Sequence, residues 1–99
     1  MSYELTIRPE AEADLVEAFD WYEDRREGLG HEFLAEVRSV IHQIEESPLR
    51  NARIHREARR ALVRRFPYKV IYCFEAERVE VLGVVFAGRD PQFWQRRVR

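Results

Sequence analysis

A chain of 99 residues in which 45% are hydrophobic has too few apolar side chains for two cores, so we expect one domain over residues 1–99. Its longest apolar stretches, such as residues 81–87, are far shorter than the roughly 18 residues of a membrane span, and acidic residues stand where a signal peptide would begin with basic ones, so we expect a cytoplasmic protein without a membrane partner. The net charge of −1 is unevenly distributed: residues 1–48 have four basic and thirteen acidic residues, a net charge of −9, and residues 49–99 have thirteen basic and five acidic residues, a net charge of +8. This asymmetry predicts either an anionic partner for the basic half or two structural layers whose charges neutralise each other.

The first half of the sequence predicts a strand followed by two helices. Apolar and polar residues alternate over residues 2–7, which is typical of a short strand. Pro9 suits the first position of a helix, and acidic residues follow it at the positive end of the helix dipole. Apolar residues then recur at helical spacing on both sides of Gly28-Leu29-Gly30, which predicts a tight turn between two helices. Ser47-Pro48 predicts the end of the second helix.

The second half of the sequence predicts strands, because its apolar residues become β-branched and aromatic and their spacing shortens. The predicted strands are residues 60–66, 68–74 and 79–86. Short connections between them predict antiparallel hairpins. Asp90 can then cap a short final helix with Pro91 at its first position, ending in the basic run Arg96, Arg97 and Arg99.

This order predicts a two-layer α+β domain, β-α-α-β-β-β with a short C-terminal helix, in which the helical hairpin lies on one face of an antiparallel sheet. The last two strands carry apolar residues on both faces, so something must cover part of the second face. We expect this cover to be the terminal segment with Phe93 and Trp94, or else a partner protein. The single cysteine, Cys73, lies within a predicted strand and is interpreted as an inert buried thiol.

Several short stretches have a recognisable order and spacing that extends over nearly the whole chain. They are Trp21-Tyr22-Glu23, Gly28-Leu29-Gly30 before Phe33, Arg64-Arg65-Phe66-Pro67-Tyr68 with Tyr72, and Arg89-Asp90-Pro91 followed by Trp94. Together they resemble the ParE branch of the RelE/ParE superfamily of bacterial toxins. The resemblance implies a toxin of a type II toxin–antitoxin module, of the kind associated with plasmid stabilisation, which a cognate antitoxin wraps and silences. It also implies that the N-terminal strand joins the sheet beside the last strand.

Two activities occur among proteins that this chain resembles: poisoning of DNA gyrase in the ParE branch, and cleavage of mRNA on the ribosome in the RelE branch. Many relatives carry His-Gly-Arg-Arg-Asp-Pro at the end of the last strand, where this chain has Phe86-Ala87-Gly88-Arg89-Asp90-Pro91. The histidine and one arginine are absent. We therefore expect a gyrase poison that is not an enzyme. The alternatives are a ribosome-dependent endoribonuclease and a degenerate module that binds partners without toxicity.

Arginines dominate the candidate binding residues, because guanidinium groups bind both phosphates and carboxylates in a bidentate manner. The predicted residues for target or partner binding are Arg60, Arg64, Arg65, Arg89, Trp94, Arg96 and Arg97. Strand alternation would place Arg60 and Arg64 on one face and Arg59 and Arg65 on the other. The alternative interpretation is an edge strand whose charges protect it from aggregation.

A ribonuclease would need acid–base groups as well as cations, and the candidates for that alternative are Arg65, Tyr68, Lys69 and Arg89. No metal or cofactor is expected. The three histidines repeat no metal-binding spacing, and the glycines at 28 and 30 follow a predicted helix and lack the lysine of a phosphate-binding loop.

Overall fold

The computed structural model describes residues 3–98, and its elements follow the predicted order with one additional strand. They are β1 (Glu4–Ile7), α1 (Pro9–Arg25), α2 (Leu29–Glu46), β2 (Arg53–His55), β3 (Ala58–Leu62), β4 (Tyr68–Glu75), β5 (Arg78–Phe86) and α3 (Gln92–Gln95). Ser2, the predicted start of the first strand, and Arg99, at the predicted basic end of the last helix, lie outside the described residues. The α+β prediction is confirmed.

The five strands form one sheet in the order β1-β5-β4-β3-β2. The pairs from β2 to β5 are antiparallel, as the short connections predict. The strand β1 instead runs parallel to β5, with Leu5 opposite Val79 and Ile7 opposite Val81. The N-terminal strand therefore lies beside the last strand, as the resemblance implied.

The connection between α1 and α2 depends on one carboxylate. Glu23, near the end of α1, accepts hydrogen bonds from the backbone N–H groups of Gly28 at 2.9 Å and Gly30 at 2.7 Å. These two glycines lie at the start of α2, where the backbone N–H groups have no partner within the helix. Gly28 has a φ of +88°, which glycine adopts without strain. A Cβ on Gly30 would lie 2.8 Å from the backbone oxygen of Phe19, so the two helices approach too closely for any larger residue there. Among residues 3–98, neither these helices nor α3 is long and apolar enough to cross a membrane.

The hydrogen bonds to Gly28 and Gly30 lower the pKa of Glu23 below its usual value of 4.5. Stability from this carboxylate is therefore fully present above the unfolded-state pKa and is lost as pH falls through the lower folded-state pKa. We expect wild type to melt above a Glu23→Gln variant at neutral pH, and the difference to shrink as the solution is acidified. Thermal melts of both proteins across the acid range test this. Glu32, whose pKa is lowered mainly by a hydrogen bond from Arg65, is common to both proteins, so a difference that does not change with pH would contradict the role of Glu23.

The predicted strand at residues 60–66 is wrong at both ends, because β3 spans Ala58–Leu62 and an additional short strand, β2, precedes it. Pairing between β3 and β4 stops at Leu62, opposite Lys69. Arg65 has a φ of +70°, which is incompatible with a strand. The expected alternation of Arg60 and Arg64 on one face, with Arg59 and Arg65 on the other, therefore does not exist, since Arg64 and Arg65 belong to a loop.

Each face of the sheet carries its own apolar cluster. The helical hairpin covers one face, where Phe33 is fully buried with Tyr22, Phe66 and residues of β4 and β5. The buried Tyr72 lies in this cluster and donates its hydroxyl hydrogen to the carbonyl oxygen of Pro48 at 2.7 Å. On this face the sheet positions the aromatic groups that surround Tyr68.

The second face is covered by the terminal segment, as one of the two sequence interpretations expected. Trp94 and Val98 pack there against Ile71, Leu82 and Val85. The Asp90 side chain accepts a hydrogen bond from the N–H of Gln92 at 2.9 Å, just before α3. The helix begins at Gln92 with Pro91 as its N-cap residue, one residue later than predicted. Cys73 is only partly buried, and its pKa is raised mainly by that burial, which favours the unreactive thiol.

Candidate functional site

A cleft with a volume of about 450 Å³ lies where α1 passes the end of β5. We call it the α1–β5 cleft. It is lined by Asp14, Glu17, Ala18, Trp21, Tyr22, Pro67, Tyr68, Val84, Val85, Phe86, Arg89 and Phe93. A volume of this size is within the range of binding clefts in proteins.

The floor of the cleft is the part of β5 that extends beyond β1. Pairing between these strands ends at Val81, so the backbone of the next residues needs other partners. Asp14 of α1 accepts a hydrogen bond from the N–H of Val84 at 3.0 Å, and Arg97 donates one to the carbonyl oxygen of Leu82 at 3.0 Å. Side chains from opposite ends of the chain thereby complete this edge of the sheet.

Asp14 and Arg97 also bind each other. Their closest atoms, Oδ2 and Nη1, are 2.7 Å apart, and each side chain is only 11% exposed. The glycine at position 83 makes room for this pair, since a Cβ there would lie 2.8 Å from Nη1 of Arg97. Of the predicted partner-binding residues, Arg97 is therefore committed to an internal ion pair.

Aromatic side chains form the walls of the α1–β5 cleft. Trp21 on α1 and Phe86 at the end of β5 are 48% and 47% exposed, although both are large and apolar. Tyr68 lies between the core and the cleft, with its ring centroid 5.0 Å from that of Phe33 and 5.9 Å from that of Phe86. Exposed aromatic side chains in a concave site are typical of binding surfaces.

Two of the predicted residues, Tyr68 and Arg89, come together in this cleft. Burial is the main reason that the pKa of Tyr68 is raised, and the nearby charge of Arg89 partly opposes this shift. The Arg89 guanidinium lies over the ring of Phe93, with Cζ 3.7 Å from the ring centroid. A tyrosine with a raised pKa is a poor base at neutral pH, and arginine stays protonated. The pair is therefore suited to donating hydrogen bonds rather than to accepting a proton.

Lys69 lies on the opposite face of the sheet from Tyr68, as adjacent residues of a strand must. Its Nζ is 5.5 Å from the centroid of the Trp94 ring, which packs on the second face. Burial and, to a smaller extent, the charge of Arg60 lower the pKa of Lys69. The predicted ribonuclease set is thus divided, with Tyr68 and Arg89 in the cleft and Lys69 near Arg60 across the sheet.

The remaining predicted residues do not join Tyr68 and Arg89 in the α1–β5 cleft. Arg65 binds the carboxylate of Glu32 on α2 at 2.7 Å and that of Glu36 at 3.6 Å. Arg64 and Arg96 are exposed, and Arg96 donates a hydrogen bond to the backbone oxygen of Gln92. Trp94 is 3% exposed within the second apolar cluster, so its ring is not available as a contact surface in this structure.

Sequence reasoning missed the α1 side of the cleft. Asp14, Glu17 and Trp21 recur at intervals of three and four residues, which places them on one face of α1. That spacing is present in the sequence, but the helix-dipole argument concerns Asp14 and not Glu17. The sequence does not show that Arg97 reaches Asp14, since the two residues are 83 positions apart.

Comparison with known proteins gives structural matches only. No family model matches the chain, and no curated protein matches it. A structure from the chromosomal ParDE toxin–antitoxin system of P. aeruginosa is 14% identical, covers 84% of this chain and 94% of its own, and has a TM-score of 0.75. A double mutant of the E. coli toxin RelE in the free state is 17% identical, covers 100% of both chains, and has a TM-score of 0.66. The chain therefore has the fold of the RelE/ParE toxins that its motifs resemble.

Proposed function

We propose that this chain is the toxin of a toxin–antitoxin module and that it acts by binding its target rather than by cleaving RNA. The observation that carries the proposal is the placement of Tyr68 and Lys69 on opposite faces of the sheet. They are the two proton-transferring candidates among the residues predicted for a nuclease. In the same fold, a non-catalytic toxin needs only a binding surface.

The chemistry of RNA cleavage explains why this separation matters. Attack by a 2′-hydroxyl requires a group that takes the proton and another that protonates the leaving oxygen, and each typically contributes about 10²–10⁴-fold in rate. In the α1–β5 cleft, Tyr68 has a raised pKa and its neighbour Arg89 cannot lose a proton near neutral pH. Lys69 has a lowered pKa but shares its face with Arg60, which also stays protonated.

The proposal also includes an antitoxin partner and DNA gyrase as the target, and a different observation supports each of them. One structural match comes from a ParDE toxin–antitoxin system, which supports an antitoxin partner for this fold. The gyrase target is supported by the resemblance of the sequence to the ParE branch and by the divided set of proton-transferring groups. On these grounds we propose that this chain is a ParE-like gyrase poison.

The test compares two purified systems, supercoiling by DNA gyrase and translation on ribosomes. We expect the chain to inhibit supercoiling and to leave mRNA intact. We expect Arg89→Ala to weaken the inhibition, because Arg89 presents an exposed cation in the cleft. Its free energy of unfolding should fall by only about 0.5 kcal/mol, since an exposed cation stacked on a ring contributes little. Arg50→Ala, at an exposed arginine outside the cleft, is the matched control.

Two outcomes would contradict this proposal. Codon-phased cuts in mRNA that disappear in a Lys69→Ala variant would show a ribonuclease that depends on Lys69. A large fall in the melting temperature of Arg89→Ala would assign that residue to the stability of the fold rather than to target binding.

A further inference from the structure

Two hydrogen-bond donors in the α1–β5 cleft have no acceptor among residues 3–98. Neither the hydroxyl of Tyr68 nor the guanidinium of Arg89 takes part in a side-chain hydrogen bond or ion pair of the described chain. Arg89 lies with one face on Phe93, which leaves the N–H groups at the edge of its guanidinium free to bind. The cleft therefore contains a cation and a hydroxyl, close enough for the arginine to affect the pKa of the tyrosine.

The acidic residues of the cleft are not equivalent. Asp14 is neutralised by Arg97 at 2.7 Å and is occupied by the Val84 N–H. Glu17 is exposed and has no ion pair among the described residues, and its charge raises the pKa of Tyr68. The available charges are thus a cation at the end of β5 and a carboxylate on α1, with aromatic rings around them.

We propose that the α1–β5 cleft receives a segment of the cognate antitoxin that presents a carboxylate next to a large apolar side chain. The carboxylate accepts hydrogen bonds from Arg89 and Tyr68, and the apolar side chain packs between Trp21 and Phe86. This inference rests on the proposed toxin–antitoxin function and specifies the chemistry of the antitoxin segment. It also explains silencing, because the antitoxin covers the arginine on which target binding depends.

Charge favours a carboxylate over a cationic side chain at this place. Arginine binds carboxylates through two parallel hydrogen bonds. A lysine or arginine from a partner would be repelled by Arg89. Glu17 in turn repels an incoming carboxylate, so it restricts the acidic group to the Arg89 side of the cleft. Removal of Arg89 and removal of Glu17 should therefore change affinity in opposite directions.

The experiment measures the dissociation constant of the complex between the purified chain and the purified antitoxin candidate encoded by the neighbouring gene, by isothermal titration calorimetry. We expect Arg89→Gln to weaken binding by about tenfold or more, as for loss of a hydrogen-bonded charge pair. Tyr68→Phe should weaken it less, and Glu17→Gln should tighten it. Arg50→Gln removes the same charge from an exposed residue outside the cleft and should leave affinity unchanged.

The outcomes separate this inference from the function on which it rests. A tight complex that Arg89→Gln and Tyr68→Phe leave unaltered overturns the inference alone. If Glu17→Gln weakens binding and Arg89→Gln strengthens it, the partner group is a cation and the inference is also overturned. Absence of any complex with the wild-type chain overturns the proposed function and the inference with it. Melting temperatures of all variants verify that they are folded, and Tyr68→Phe, which keeps the ring, provides the test if Arg89→Gln does not fold.

Discussion

Replacing Asp14 with alanine is expected to lower the free energy of unfolding by about 3–5 kcal/mol, because it leaves a largely buried arginine without its counter-ion. Asp14 and Arg97 are each 11% exposed and lie 2.7 Å apart. The same substitution removes the acceptor of the Val84 N–H. A domain of this kind is typically stable by about 5–15 kcal/mol, so the loss is a large share of the total. Urea denaturation followed by circular dichroism measures it.

The neighbouring carboxylate on α1 supplies the control for this prediction. Glu17 is exposed and forms no ion pair among residues 3–98, so Glu17→Ala should change stability by less than about 0.5 kcal/mol. Asp14→Asn keeps an oxygen for the Val84 N–H and should lose less than Asp14→Ala. If Asp14→Ala and Glu17→Ala are equally stable, the Asp14–Arg97 pair does not hold the end of β5.

Local patterns in the sequence were enough to predict the helices. Pro9 is the first residue of α1, and α2 ends at Glu46, just before Ser47-Pro48. The start of α1 follows from the missing N–H of Pro9, which the first position of a helix tolerates. The end of α2 follows from Pro48, because a proline disfavours the helical conformation of the residue before it. These are properties of one or two residues, so they can be read without the tertiary structure.

The end of β3 could not be predicted in the same way. Residues 63–66 are apolar and basic, like those of the strand before them, yet the chain turns there. The N–H of Val63 binds the carbonyl oxygen of Tyr68 at 2.9 Å, and Arg65 takes its positive φ while bound to Glu32 of α2. The Arg65–Glu32 contact joins residues 33 positions apart, and the periodicity of the sequence does not contain it.

The candidate site was predicted in part for a similar reason. Arg89 was identified because it belongs to a motif, and Tyr68 because it follows Pro67 in another. Their meeting in one cleft depends on the hairpin between β4 and β5, which places Tyr68 opposite Phe86. The prediction that Arg97 contacts a partner treated the terminal arginines alike, whereas packing of the terminal segment turns Arg97 inward and leaves Arg96 exposed.

Replacing Phe33 with alanine is expected to cost about 3–5 kcal/mol, the range for removal of a buried phenylalanine ring. Phe33 is 0% exposed. Its ring centroid lies 5.2 Å from that of Tyr22, 5.3 Å from that of Phe66 and 5.0 Å from that of Tyr68. Its loss would leave a cavity beneath three aromatic rings, which pack through edge contacts that depend on their mutual positions.

The same substitution should also affect the α1–β5 cleft, because Tyr68 lies between Phe33 and the cleft. We expect Phe33→Leu to lose less stability than Phe33→Ala, because leucine fills more of the cavity. Phe33→Leu should still weaken antitoxin binding, in proportion to the displacement of Tyr68. Val16→Ala, at a position that is 61% exposed on α1, should change neither quantity measurably. Chemical denaturation and the near-ultraviolet circular dichroism of the aromatic cluster measure the first effect, and titration calorimetry measures the second. A Phe33→Ala protein as stable as Val16→Ala would show that the aromatic cluster does not support this core.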